Sequence, residues 1–165
     1  MEPKRTDLTV ARERAILVSA ALGSAAEASE SLEELRRLAD TAGARVVGEC
    51  AQRLTAPHPA TFLGAGKVRE LEQLCRDLAA DLVLFDVDLS PSQLQNLEKA
   101  TDRKVVDRTE LILDIFAQGA RTAMACDQVE LAQLEYTYPR LRRMWTHLER
   151  IEGGLLSYGN DMTIA

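Results

Sequence analysis

The stretch Asp81-Leu82-Val83-Leu84-Phe85-Asp86-Val87 decides the fold. Four consecutive apolar residues between acids are too few for a buried helix. They describe a strand covered on both faces, as in a parallel sheet. Upstream of it, Lys67–Ala80 reads as a helix, with Val68, Leu71, Leu74, Cys75 and Leu78 on one face. Downstream, Ser90 caps a helix over Pro91–Ala100, whose first position suits a proline because no N–H is needed there. Lys104-Val105-Val106 is a last short strand. Further upstream, Ala15–Ala20 is another nearly continuous apolar run. Ser31–Ala42 follows as a helix, with Ser31 as N-cap, Glu34 completing a capping box and Gly43 ending it. Val46–Leu54 is a strand whose polar second half places it near a sheet edge, and Ala56–Pro59 is a loop. Strand and helix alternate throughout, which predicts an α/β domain over residues 10–108, a small four-stranded parallel sheet flanked by helices.

After Thr109 no further strand pattern occurs. Glu110–Tyr138 is free of proline and reads as one helix of roughly 40 Å, the start of a helical arm over 109–152. From Leu131 the apolar positions Leu131, Leu134, Tyr138, Leu141, Trp145 and Leu148 alternate three and four apart, a coiled-coil-like seam that calls for a partner helix. Pro139 is expected to kink or end the helix. Gly153-Gly154 opens a shortened loop or unstructured tail over 153–165.

Composition narrows the function. The chain has 165 residues, 46% of them apolar, enough for one compact core, and a net charge of -6 that argues against nonspecific coating of nucleic acid. Three cysteines without CxxC spacing and two histidines support neither a disulfide framework nor a metal centre. No apolar run approaches the eighteen residues of a membrane span. Arg12–Arg14 before Ala15–Leu22 imitates a signal peptide, but Glu2, Asp7 and Glu13 occupy its basic region. The expected location is cytoplasmic, with no membrane partner.

Gly64-Ala65-Gly66-Lys67 resembles a phosphate loop, yet Thr61 and Val68 stand where that motif requires Gly and Ser or Thr, so a tight turn before a helix is the better reading. Asp86 and Asp88 follow the central strand, where open α/β sheets place their sites. A phospho-acceptor role would need an acidic pair where Ser19-Ala20-Ala21 stands, which leaves them as loop carboxylates favouring the next helix N-terminus. No catalytic, cofactor or metal residue is nominated. Residues 137–150 carry Arg140, Arg142, Arg143 and Arg150 against Glu149, a local charge of +3 within an acidic chain. Tyr136, Tyr138, Trp145 and His147 are interleaved with them. Guanidinium forks suit phosphates, and aromatic planes suit unpaired bases.

Longer motifs carry a resemblance. Lys104-Val105-Val106-Asp107-Arg108-Thr109-Glu110-Leu111-Ile112-Leu113-Asp114-Ile115-Phe116-Ala117-Gln118, then Gln128-Val129-Glu130-Leu131-Ala132-Gln133-Leu134 and Tyr138-Pro139-Arg140-Leu141, resemble the N-terminal region of the HflX family of ribosome-associated GTPases. Phe62–Lys67 and Leu89–Glu98 fit the same family in the same order. The resemblance implies an N-terminal α/β domain, then a subdomain of two antiparallel helices, then a separate GTP-binding domain. It also implies binding to the large ribosomal subunit, and ribosome splitting or rescue by the whole protein. The long helix would be the first of the helical pair. Gly119 and Met124 stand where the family usually has Arg and Glu, and Leu155–Thr163 departs from the family's glycine-rich loop. The resulting expectation is a non-catalytic N-terminal part. It would dock on rRNA through Arg140, Arg142, Arg143, Trp145, Arg150 and Tyr158, with GTP and magnesium belonging to the GTP-binding domain alone. The alternative is an interaction module that pairs through the seam Leu131, Leu134, Tyr138 and Leu141 with itself or with a full-length GTPase.

Overall fold

The computed structural model describes Val10 and residues 12–151, with side chains as far as Arg140. Four strands, β1 (Arg14–Ala21), β2 (Arg45–Arg53), β3 (Leu82–Phe85) and β4 (Lys104–Val106), form one parallel sheet in the order β2-β1-β3-β4. Between them lie α1 (Ala25–Ala42), α2 (Ala65–Asp77) and α3 (Pro91–Thr101), and after β4 come α4 (Arg108–Gly119) and α5 (Ala123–Ile151). The expected fold class is what the chain adopts, with β2 at an edge.

Strand order and crossover hand place the helices. The chain steps from β1 outward to β2, then reverses past β1 to β3 and β4, so right-handed crossovers put α1 on one face and α2 and α3 on the other. Side chains of the central strands alternate accordingly. Ile16, Val18, Val83 and Phe85 meet Leu71, Cys75, Leu94 and Leu97 on the α2–α3 side. Ala15, Leu17, Leu82 and Leu84 meet Leu35, Ala39 and Leu111 on the other. Burial on both faces is why Leu82–Phe85 could be read as a run without alternation.

The structure revises three helix boundaries. α1 begins at Ala25, six residues before the expected start. Its capping box is Ser24 with Glu27 rather than Ser31 with Glu34: Glu27 N donates to Ser24 Oγ at 3.2 Å and Ser24 N to Glu27 Oε2 at 2.6 Å. Gly43 ends α1 as expected, at φ 83°, a backbone conformation that suits glycine. The single long helix expected from Glu110 is two helices. Ala120 is extended at φ -72°, ψ 120°, and Thr122 restarts the helix by accepting at Oγ1 from Ala125 N at 3.1 Å. α4, which the sequence assigned to the arm, packs on α1 and sends Leu111 into the core, so it closes the sheet body.

Pro139 does not end α5, which runs on to Ile151. Its missing N–H and the carbonyl it leaves unpaired lie on an exposed stretch, where water can serve that carbonyl. No helix of the described residues is long and apolar enough to cross a membrane.

Candidate functional site

The carboxyl edge of the sheet is where α5 meets the body, and the meeting point is polar. β4 ends at Val106, and the next residue, Asp107, is the N-cap of α4 and is fully buried. Its Oδ1 accepts from Glu110 N at 3.0 Å. Its Oδ2 accepts from Leu89 N in the β3–α3 loop at 3.1 Å, from Arg140 Nη2 at 3.2 Å, and from the Tyr136 hydroxyl. Arg140 Nη2 also donates to Leu89 O at 2.8 Å and to the Tyr136 hydroxyl, and the guanidinium carbon lies 3.6 Å from the Tyr136 ring centre. One carboxylate thus joins the β3–α3 loop, the start of α4 and two turns of α5. A buried ion pair of this kind persists only when hydrogen bonds satisfy both partners, as here they largely do. Burial, then the bond to Asp107 and its charge, push the Tyr136 hydroxyl well above the usual tyrosine range, so it stays a donor at any physiological pH.

Arg140, expected among the rRNA contacts, is therefore turned into the fold. Tyr136 and Arg140, one helical turn apart, face the body. Leu131, Leu134 and Tyr138 face away, at 57%, 58% and 66% exposure, and Met124 and Phe116 are also exposed. Nothing among the described residues covers the stripe. The side chains of Leu141, Arg142, Arg143, Trp145 and Arg150 lie outside the described residues, as do Tyr158 and the whole 153–165 segment. The helix backbone carrying the first five extends about 16 Å past Arg140.

The two aspartates after β3 have structural work of different kinds. Asp86 Oδ1 accepts from Ala20 N at 3.0 Å and Oδ2 from Ser31 Oγ at 2.8 Å, tying the ends of β1 and β3 to α1. Ser31, assigned by sequence to a cap, is instead this tie. Asp88 Oδ1 accepts from Thr109 N and Oγ1 at 3.1 and 2.7 Å, so it secures α4 and not the helix immediately after it. An open cleft of about 230 Å³ lies over the β1–β3 switch point, lined by Leu22, Glu27, Ser31 and Asp86. Gly64 is the N-cap of α2, with its N–H held by Gln52 Oε1 at 3.0 Å, and Lys67 Nζ pairs with Glu70 at 2.9 Å, an ordinary helix start. His58 sits in an exposed turn, its Nδ1 accepting from Ala60 N at 3.2 Å. Among the described residues no group of three or more His, Cys, Asp or Glu is placed to hold a metal.

Cys50 and Cys75 are buried and Cys126 is exposed. Burial pushes the Cys75 thiol up to about 11 and raises Cys50 as well. Because the thiolate is the reactive species, an aromatic disulfide reagent at neutral pH is expected to modify Cys126 promptly and the other two only on unfolding. Three equally fast thiols would contradict this packing.

Asp107 is the site residue that the sequence reading did not single out; Tyr136, noted there among the aromatics interleaved with the arginines, turns inward to it. Asp107–Glu110 matches a helix-start pattern, which reveals the cap but not the contacts made from 29 and 33 positions away.

A parallel α/β body closed by α4, with a long helix latched across its carboxyl edge, defines the class of protein. Residues 29–117 match the family described as GTP-binding GTPase N-terminal, and residues 119–163 match the GTP-binding GTPase Middle Region, the division falling where α4 gives way to α5. The chain belongs to this family of HflX-type GTPases and corresponds to its N-terminal region. It is similar to the GTPase HflX of Flavobacterium psychrophilum, 50% identical over 126 residues, covering 76% of this chain and 30% of that protein. The GTPase HflX of Escherichia coli is 48% identical over the same length, with the same two shares. That of Caldanaerobacter subterraneus is 45% identical over 152 residues, 92% of this chain and 35% of the relative. The chain thus spans about a third of the length of these relatives. A GTP-binding protein from Sulfolobus solfataricus in complex with GDP shares the fold, with a TM-score of 0.63 and 22% identity, covering 92% of this chain and 46% of that one.

Proposed function

We propose that this region of an HflX-type GTP-binding protein is non-catalytic and docks on the large ribosomal subunit, with α5 as the contacting arm. The observation that carries the reading is the continuation of α5 beyond its last described attachment, Arg140, to Ile151. That continuation bears Arg142, Arg143, Trp145 and Arg150 on an otherwise acidic chain. Arginine forks and a tryptophan plane are the groups that engage RNA phosphates and unpaired bases. Tyr158 belongs to the same proposed contact. Arg140 acts here by orienting the helix. GTP and magnesium belong with the GTP-binding domain of the whole protein, and ribosome splitting or rescue with that protein's activity in the cytoplasm.

The test is a binding titration of the chain, labelled at Cys126, against isolated large ribosomal subunits. Arg142→Gln, Arg143→Gln and Arg150→Gln together are expected to weaken binding and to flatten its dependence on salt, because fewer counterions are released. An unchanged slope would remove these arginines from the interface. Purified chain is expected to show no GTP turnover above buffer.

A second reading is favoured by the exposure of Leu131, Leu134 and Tyr138. An apolar stripe left open to water drives association, and pairing in trans would cover it, with another copy or with a full-length GTPase. A monomer mass independent of concentration in analytical ultracentrifugation would count against self-pairing.

A further inference from the structure

Among the described residues neither apolar cluster of the sheet body draws on α5; α4 is the last element to contribute, through Leu111 and Ile115. Midway along its length α5 is held to the body by the Asp107, Tyr136 and Arg140 set. Between α4 and α5 lies a void of about 10 Å³, the room one water needs, bounded by Val106, Glu110, Leu113, Gln133, Tyr136 and Thr137. The near end of α5 leaves α4 through the extended turn at residues 120–122, and further along α5 packs beside α3 and α4. Just before that turn, Gln118 Nε2 fastens α4 to the body by donating to Ala42 O at 2.9 Å, and within α4 it donates to Asp114 Oδ2 at 2.8 Å.

We propose that α5 is a lever: Asp107 with Arg140 and Tyr136 form a polar catch midway along it, residues 120–122 form the pivot before its first turn, and the helix detaches as a unit while the sheet body stays folded. Apolar burial accumulates over area and fails with the core as a whole. An ion pair behaves differently. Opening it returns both charges to water, and rehydration offsets most of the lost attraction. Detachment therefore costs far less than unfolding the body, which makes α5 a separate cooperative unit. The inference concerns the chain alone and stands whether or not the arm meets a ribosome.

Hydrogen exchange read by mass spectrometry on the whole chain tests it. Amides of residues 124–138 are expected to exchange through an opening that β1 and β3 do not share. Arg140→Met should raise exchange in α5 at least tenfold, with α5 still opening at a lower free energy than β1 and β3. Tyr136→Phe keeps the ion pair and removes one hydroxyl, and should give a smaller increase in the same segment. The proposal is overturned if α5 and the central strands exchange together in the unmodified chain, or if Arg140→Met leaves exchange in α5 unchanged. Should Arg140→Met not fold, the unmodified chain and Tyr136→Phe decide between these outcomes.

Discussion

Asp107→Ala is expected to lower the unfolding free energy by about 3–5 kcal/mol, the usual cost of removing one member of a buried ion pair. Native domains are stable by only about 5–15 kcal/mol, so this is a large fraction of the whole. Asp107 is fully buried and accepts from Glu110 N, Leu89 N, Arg140 and Tyr136. Alanine deprives all four donors at once. It uncaps α4, frees the β3–α3 loop and leaves the Arg140 charge facing a gap. Urea denaturation followed by circular dichroism would measure the loss. Asp107→Asn, which can still accept at the cap but carries no charge, should lose less. The pH dependence has a definite sign. Tyr136 has a raised value in the folded chain, so its contribution is fully present below the ordinary tyrosine value of about 10. It is lost as pH climbs above that value, because the unfolded chain then releases the hydroxyl proton that the folded chain retains. Destabilisation on alkaline titration should accordingly be reduced in Tyr136→Phe.

Phe85→Ala is the second large effect, about 3–5 kcal/mol from lost apolar transfer and the cavity left behind. Phe85 has no exposed surface, pairs with Val18 across the sheet, and belongs to the cluster that joins β1 and β3 to α2 and α3. Phe116 provides the control. It is the same residue type on α4, 61% exposed, and its replacement by alanine should change stability by less than about 0.5 kcal/mol. The midpoint of denaturation should fall for Phe85→Ala with little change in the denaturant slope, since the fold is weakened rather than altered. Equal effects at the two phenylalanines would contradict the assignment of the core.

What the sequence made legible follows from the range of the forces involved. The central strand Leu82–Phe85 and the short Lys104–Val106 strand were readable because residues buried on both faces leave an unbroken apolar run. Pro91 and Ser90 marked α3 by local chemistry alone. The start of α1 was not decided by local chemistry, because Ser24–Glu27 and Ser31–Glu34 both satisfy the capping pattern. The body decides it, using Ser31 to hold Asp86 and leaving Ser24 to cap. The break at 120–122 had Gly119 as its only mark. Arg140 looked like one of four basic residues in a tail, yet its phase on α5 is that of Tyr136, one turn earlier, and opposite to the seam. Its partner Asp107 lies 33 positions away, beyond what periodicity or capping can register. The candidate site was thus legible as chemistry, basic and aromatic residues on one helix, and illegible as geometry, since one of those arginines serves the fold.

The most direct test of the functional account is co-sedimentation of the purified chain with isolated large ribosomal subunits across a salt series. A docking arm of arginines predicts retention at low salt that falls steeply as salt rises. Absence of retention at low salt would contradict the account.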